Sequence, residues 1–213
     1  MPLKKYFLVI LAVFLLDSGV ASAAVVNFQF TGTVTDGGTL AATGSQIVGT
    51  FSYDTDTLPS MSLDGYASYG FPAPFALSAT VAGHTVVTNN LNVSIWDNQG
   101  GNVEDMVEVI GGPVSVDGNS YPNGAFGFRL ASQPGNTGVL TSTALPSFFD
   151  VAAFDAGSTL TYGVLQSDGG PSGGLLGFSV DSITAVPVPP ALLLMVSGML
   201  ALGGALRRNS NCA

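Results

Sequence analysis

A period of two governs the body of this chain. Val26, Phe28, Phe30, Gly32 and Val34 alternate with Asn27, Gln29, Thr31, Thr33 and Thr35. That spacing describes a strand with one face turned inward. Asp36-Gly37-Gly38 ends it, and Ile47 to Tyr53 repeats it with Ile47, Phe51 and Tyr53 on one face. Phe75-Leu77-Ala79-Val81 comes next, turns at Ala82-Gly83 and returns over His84 to Thr88. Leu91-Val93-Ile95 runs into Asp97-Asn98-Gln99-Gly100-Gly101-Asn102. Val103 to Ile110 then carries Val on one face and Glu104 and Glu108 on the other, before Gly111-Gly112-Pro113 stops it. Phe126-Phe128-Leu130, Leu160-Tyr162-Val164 and Leu176-Phe178-Val180 complete the set.

Eight or nine short strands separated by Gly, Pro, Asn and Asp clusters predict an all-β domain, an antiparallel β-sandwich or jelly roll. No segment of the body has a helical period, and no repeat of 20–50 residues suggests a solenoid or propeller. The chain has one cysteine, Cys212, near its end. The body is therefore without disulfides, and its stability must come from burial.

The two ends have a different composition. Lys4-Lys5, the apolar run Tyr6 to Leu16 and Ala21-Ser22-Ala23 form the three parts of a secretory signal. Cleavage is expected between Ala23 and Ala24, making residues 1–23 a signal peptide. At the other end, prolines precede an apolar run from Ala191 to Leu206, and Arg207-Arg208 follow it. As a helix that run spans roughly 24 Å at ~1.5 Å per residue. With Val186 to Pro190 it reaches the about 20 residues that a ~30 Å hydrocarbon core takes. A transmembrane helix over about 187–206 is expected, with the basic cluster 207–208 on the cytoplasmic side. Residues 24–184 are left as one extracytoplasmic domain and 185–213 as its tail.

That tail resembles the PEP-CTERM sorting signal of Gram-negative bacteria: a Val-Pro-Glu-Pro-like motif, one hydrophobic helix and a terminal basic cluster. The residues that carry the resemblance are Val186, Pro187, Val188 and Pro189, the run Ala191 to Leu206, and Arg207 and Arg208. Val188 stands where the family's named motif has Glu. The resemblance implies recognition by an exosortase, transient anchoring in the inner membrane, removal of the tail, and release into the envelope or a polysaccharide-rich extracellular matrix. Signal peptidase and exosortase are the processing partners it implies, and exopolysaccharide is the surrounding it implies. The stretches Phe28 to Val34 and Val48 to Asp54 are also similar to opening strands of exported proteins with this tail.

Charge narrows the partners further. Of 14 acids only Asp17 lies in the signal, and Arg129 is the one Lys or Arg outside the two ends. The body thus carries 13 acids against one cation. Nucleic acid is excluded as a partner, because phosphate binding needs Lys and Arg.

Catalytic chemistry is poorly supplied. His84 is the sole histidine, set in the hairpin Gly83-His84-Thr85, where it reads as a surface residue. No Gly-x-Ser-x-Gly elbow, zinc-ligand set or phosphate loop accompanies it. The body is therefore expected to be non-enzymatic. Clustered acids are the exception. Asp54 and Asp56 follow a strand, and Asp97, Glu104 and Asp105 flank a glycine turn. Oxygen ligands in loops suit Ca²⁺, the one cofactor these residues allow for, although Leu58 falls where an EF-hand would need an oxygen. Such acids also favour turns for conformational reasons. Tyr66 and Tyr69, in the loop Asp64 to Pro72, and Trp96 are the candidates for stacking on a glycan. The leading expectation is an exported cell-surface or matrix protein. The alternatives are an extracellular carbohydrate-active enzyme and a calcium-stabilised adhesin or glycan-binding module.

Overall fold

A computed structural model describes residues 25–99, 104–154, 162–166 and 174–186. The expected signal peptide at 1–23 and helix at 187–206 lie outside the described residues. Among those described, no helix is long and apolar enough to cross a membrane.

The described chain is all-β and antiparallel. Six antiparallel strand pairs and one long final strand build it. The pairs are β1 (Val25–Asp36) with β2 (Gln46–Asp54), β3 (Met61–Leu63) with β4 (Tyr66–Phe71), and β5 (Leu77–Val81) with β6 (His84–Thr88). Then come β7 (Leu91–Gln99) with β8 (Glu104–Gly111), β9 (Val114–Val116) with β10 (Asn119–Tyr121), and β11 (Ala125–Ala131) with β12 (Tyr162–Gln166). The final strand is β13 (Gly174–Val186). Hydrogen bonding places the strands in the order β10-β9-β6-β5-β2-β1-β13-β12-β11-β8-β7-β4-β3. Successive strand pairs are thus dealt alternately to two halves, and β13 joins the halves between β1 and β12.

The two halves face each other in a sandwich-like arrangement. Phe30 of β1 and Phe51 of β2 meet Phe128 of β11 at ring distances of 5.4 and 5.6 Å, although two and three strands lie between them along the ladder. Tyr53 of β2 packs on Phe71 of β4 at 5.7 Å. These rings belong to the inward set that the period of two selects. Phe28, Phe30, Ile47, Phe51, Tyr53, Phe126, Phe128 and Phe178 are all buried.

Tight corners carry the chain between halves. Only Asn89 and Asn90 separate β6 from β7, and only Gly112 and Pro113 separate β8 from β9. Buried Thr88 organises this corner. Its hydroxyl accepts from the Leu77 N–H at 2.9 Å and donates to the Asn90 carbonyl at 2.8 Å. Asn90 Oδ1 in turn accepts from the Gly112 N–H at 3.1 Å. The corner's backbone groups are satisfied within it, as burial requires.

Three sequence expectations need correction. The stretch Asp64 to Pro72 is not a loop: Tyr66–Phe71 is β4, paired with β7 along its length. The short strands β3, β9 and β10 were not anticipated. The last strand reaches Val186, opposite Asn27 of β1, so the first residue of the tail motif is still part of the sheet.

Gly49 makes room for the central ring. It lies opposite Phe30, and a Cβ built there would stand 2.3 Å from that ring and 2.5 Å from the Ser78 carbonyl. The ring cannot shift without losing its neighbours Phe126, Phe128 and Phe178. Gly49→Ala should therefore destabilise the domain by about 1–3 kcal/mol through overpacking. Thermal unfolding checks this, and the matching change at exposed Gly70, where a Cβ meets nothing within 4 Å, should cost far less.

Candidate functional site

The segment after β11 closes one end of the sandwich and shapes both of its clefts. Leu145, Phe149, Val151 and Phe154 of this cover segment drop into the core, the last two from a 3-10 turn at Val151–Phe154. Phe149 packs edge-on to Phe28 at 5.1 Å.

Polar tethers hold the cover from below. Asp105 of β8 has no exposed surface. One carboxylate oxygen accepts from the Asn98 N–H at 3.0 Å, and the other accepts from the N–H groups of Val139 and Leu140, both at 2.8 Å. The Asp105 N–H donates to Ser132 Oγ at 2.9 Å, and that hydroxyl reaches the Asn136 carbonyl at 2.6 Å. Tyr69 donates its hydroxyl to the Thr143 carbonyl at 2.8 Å, and Tyr53 donates to the Pro146 carbonyl. Burial pushes both phenol hydroxyls up from their ordinary range, which keeps them protonated as donors.

Two clefts result. One, of about 410 Å³, lies between the β3–β4 turn, the end of β7 and the cover; Asp64, Gly65, Asp97, Asn98, Ser142 and Thr143 line it. Asn98 Nδ2 donates to Asp97 Oδ1 at 2.6 Å, and the Asp97 N–H bonds the Gly65 carbonyl at 2.9 Å. The other, of about 560 Å³, sits between the cover and Val107 of β8, with Val139, Leu140, Phe148 and Phe154 in its wall beside Asn136 and Asp150.

The sequence-selected residues separate into distinct places. Tyr66 and Trp96 are opposite one another on β4 and β7, with ring centroids 5.1 Å apart and planes at 47°. Both are half-buried and face outward. Tyr69 points the other way, at 6% exposure, and serves the cover. Asp105 faces inward and its oxygens are occupied by N–H donors, so it does not stand with Glu104 as a surface pair. Asp54 accepts from its own turn, at the Asp56 N–H, at 2.9 Å. Among the described residues no three or more of His, Cys, Asp and Glu form a group able to hold a metal ion.

His84 lies at the start of β6, past the left-handed Ala82-Gly83 turn. Its Nδ1 is 2.6 Å from Asp117 Oδ2, and Asp117 Oδ1 accepts from the Thr85 N–H at 2.8 Å. The histidine bond first, and the backbone bond second, hold the Asp117 carboxyl below its ordinary range. Both side chains are more than two-fifths exposed. The pair pins the β5–β6 and β9–β10 hairpin tips together.

No protein-family model, curated protein or solved structure matches this chain. The residues themselves must carry the reading.

Asp105 is the most sensitive point of this region. Asp105→Ala would leave three N–H groups without their acceptor, each costing ~1–3 kcal/mol when buried. A loss of roughly 3–5 kcal/mol is expected, read as a lower denaturant midpoint. The same change at Asp56, on the exposed side of its turn, should leave the midpoint nearly unchanged.

Proposed function

We propose that this protein is exported and resides at the bacterial cell surface or in the extracellular matrix, with a non-catalytic β-domain as its working part. The observation that carries this reading is the pair of addresses bracketing the domain. Lys4-Lys5, the apolar run and Ala21-Ser22-Ala23 precede it; Val186 to Pro189, the second apolar run and Arg207-Arg208 follow it. Signal peptidase would act first, and exosortase would act after the tail has held the chain in the inner membrane.

The fold supports this reading. Asn27 and Val186 are direct partners across β1 and β13, so both address segments leave the domain side by side. A domain whose ends emerge together can be tethered by one and released from the other without unravelling its sheet.

Intact mass of the protein recovered outside the cell tests the proposal. The expected chain starts at Ala24 and ends near Val186. A chain that keeps Ala213 and stays in the membrane would leave export standing and remove exosortase sorting. The full 213-residue chain found only in the cytoplasm would overturn both.

A further inference from the structure

The outer face of one half of the sheet is built in two contrasting rows. Leu63, Tyr66 and Trp96 face one another across β3, β4 and β7 and make an apolar row, which runs on β8 into Met106, only 9% exposed. Two residues further along each strand, Ser68, Ser94, Glu108 and Arg129 make a polar one across β4, β7, β8 and β11. Each row covers three strand spacings, about 14 Å.

The polar row presents Ser68, Glu108 and Arg129, while Ser94, at 5% exposure, braces it from within. Ser94 Oγ lies 3.2 Å from Ser68 Oγ and 3.0 Å from Asn92 Oδ1. Arg129 bonds Glu108 at 2.8 Å, with about a third and a quarter of the two side chains still exposed. The apolar row supplies the paired rings of Tyr66 and Trp96. Their planes meet at 47°, which makes a shallow V and not a flat shelf. The acid-lined cleft with Asp64 and Asp97 opens beside these rings, at the same strand ends.

The geometry points to a neutral, soluble glycan chain as the occupant of this face. A sugar ring offers C–H faces to aromatic rings and hydroxyls, which both donate and accept, to the adjoining polar row. A lipid chain would use the apolar row and leave the polar one buried without matching partners, which is costly. Charge narrows the choice further. With 13 acids against Arg129 in the body, a polyanionic glycan or a second copy of this acidic domain would be repelled. The tilted ring pair does not offer the coplanar platform that the flat surface of a crystalline polysaccharide would need. This inference uses only the sheet face and stands whether or not the tail sorts the protein.

Trp96 is the sole tryptophan of the chain, so its fluorescence reports this face directly. The test titrates full-length protein with soluble neutral glucan, mannan and galactan, with alginate as the anionic comparison, and repeats the series by affinity electrophoresis. At least one neutral glycan should shift Trp96 emission and retard the protein, and alginate should do neither. Tyr66→Ala should weaken retardation at least tenfold, and Glu108→Gln several-fold, with unfolding midpoints close to that of the unaltered chain. Leu58→Ala, on the exposed turn before β3, should bind as the unaltered chain does. Absence of any response across the neutral panel would overturn the inference. So would retardation that Tyr66→Ala and Glu108→Gln leave intact, or binding of alginate alone.

Discussion

A carboxylate with no exposed surface must find donors, and the way Asp105 finds them determines how one end of this domain is closed. Its two oxygens gather N–H groups from Asn98, Val139 and Leu140. One residue thus ties the end of β7 to the segment that follows β11. Without such donors, burying the charge would cost several kcal/mol. With them, Asp105 sets the position of the cover, and therefore the walls of both clefts. Tyr53 and Tyr69 act in the same sense from β2 and β4, each with its ring in the core and its hydroxyl on a cover carbonyl. An aromatic body with one polar end suits that boundary.

Cohesion between the halves comes from the aromatic rings beneath. Phe30, Phe51 and Phe128 link strands that share no hydrogen bond, so packing of rings, and not the ladder, holds the halves face to face. In a body without cysteine this burial has no covalent support. It also explains the division of labour in the fold. The inner face is given over to apolar rings and three tethers, which leaves the outer face of β4, β7, β8 and β11 to carry chemistry.

Most of this fold was legible in the alternation of residues, because each strand buries one face and exposes the other. The misreadings came where local composition outweighed parity. Asp64 to Pro72 carries Gly65, Gly70 and Pro72 and reads as a loop, yet Ala67, Tyr69 and Phe71 alternate as an inward set. The same parity separates Tyr69 from Tyr66. Asp105 looked like a partner of Glu104, although it shares its phase with Val107 and Val109, and that phase was the available signal of an inward carboxylate. The identity of its donors was not legible. Val139 and Leu140 lie more than 30 residues further on, in a segment with no period to place it. Trp96 falls out of phase with Leu91, Val93 and Ile95 and so reads as outward, but its pairing with Tyr66 and the adjoining polar row needed the strand register to assemble.

The central physical claim is that one buried carboxylate fixes the cover to the sheet. Residue-resolved amide hydrogen exchange on the intact protein tests it most directly. The N–H groups of Val139 and Leu140 lie outside any strand and would exchange quickly if the cover were held only by its apolar side chains. Held by Asp105, they should exchange as slowly as the amides of neighbouring β8, through the same large-scale opening. Exchange at the rate of the exposed hairpin tips, with β8 still protected, would contradict the account.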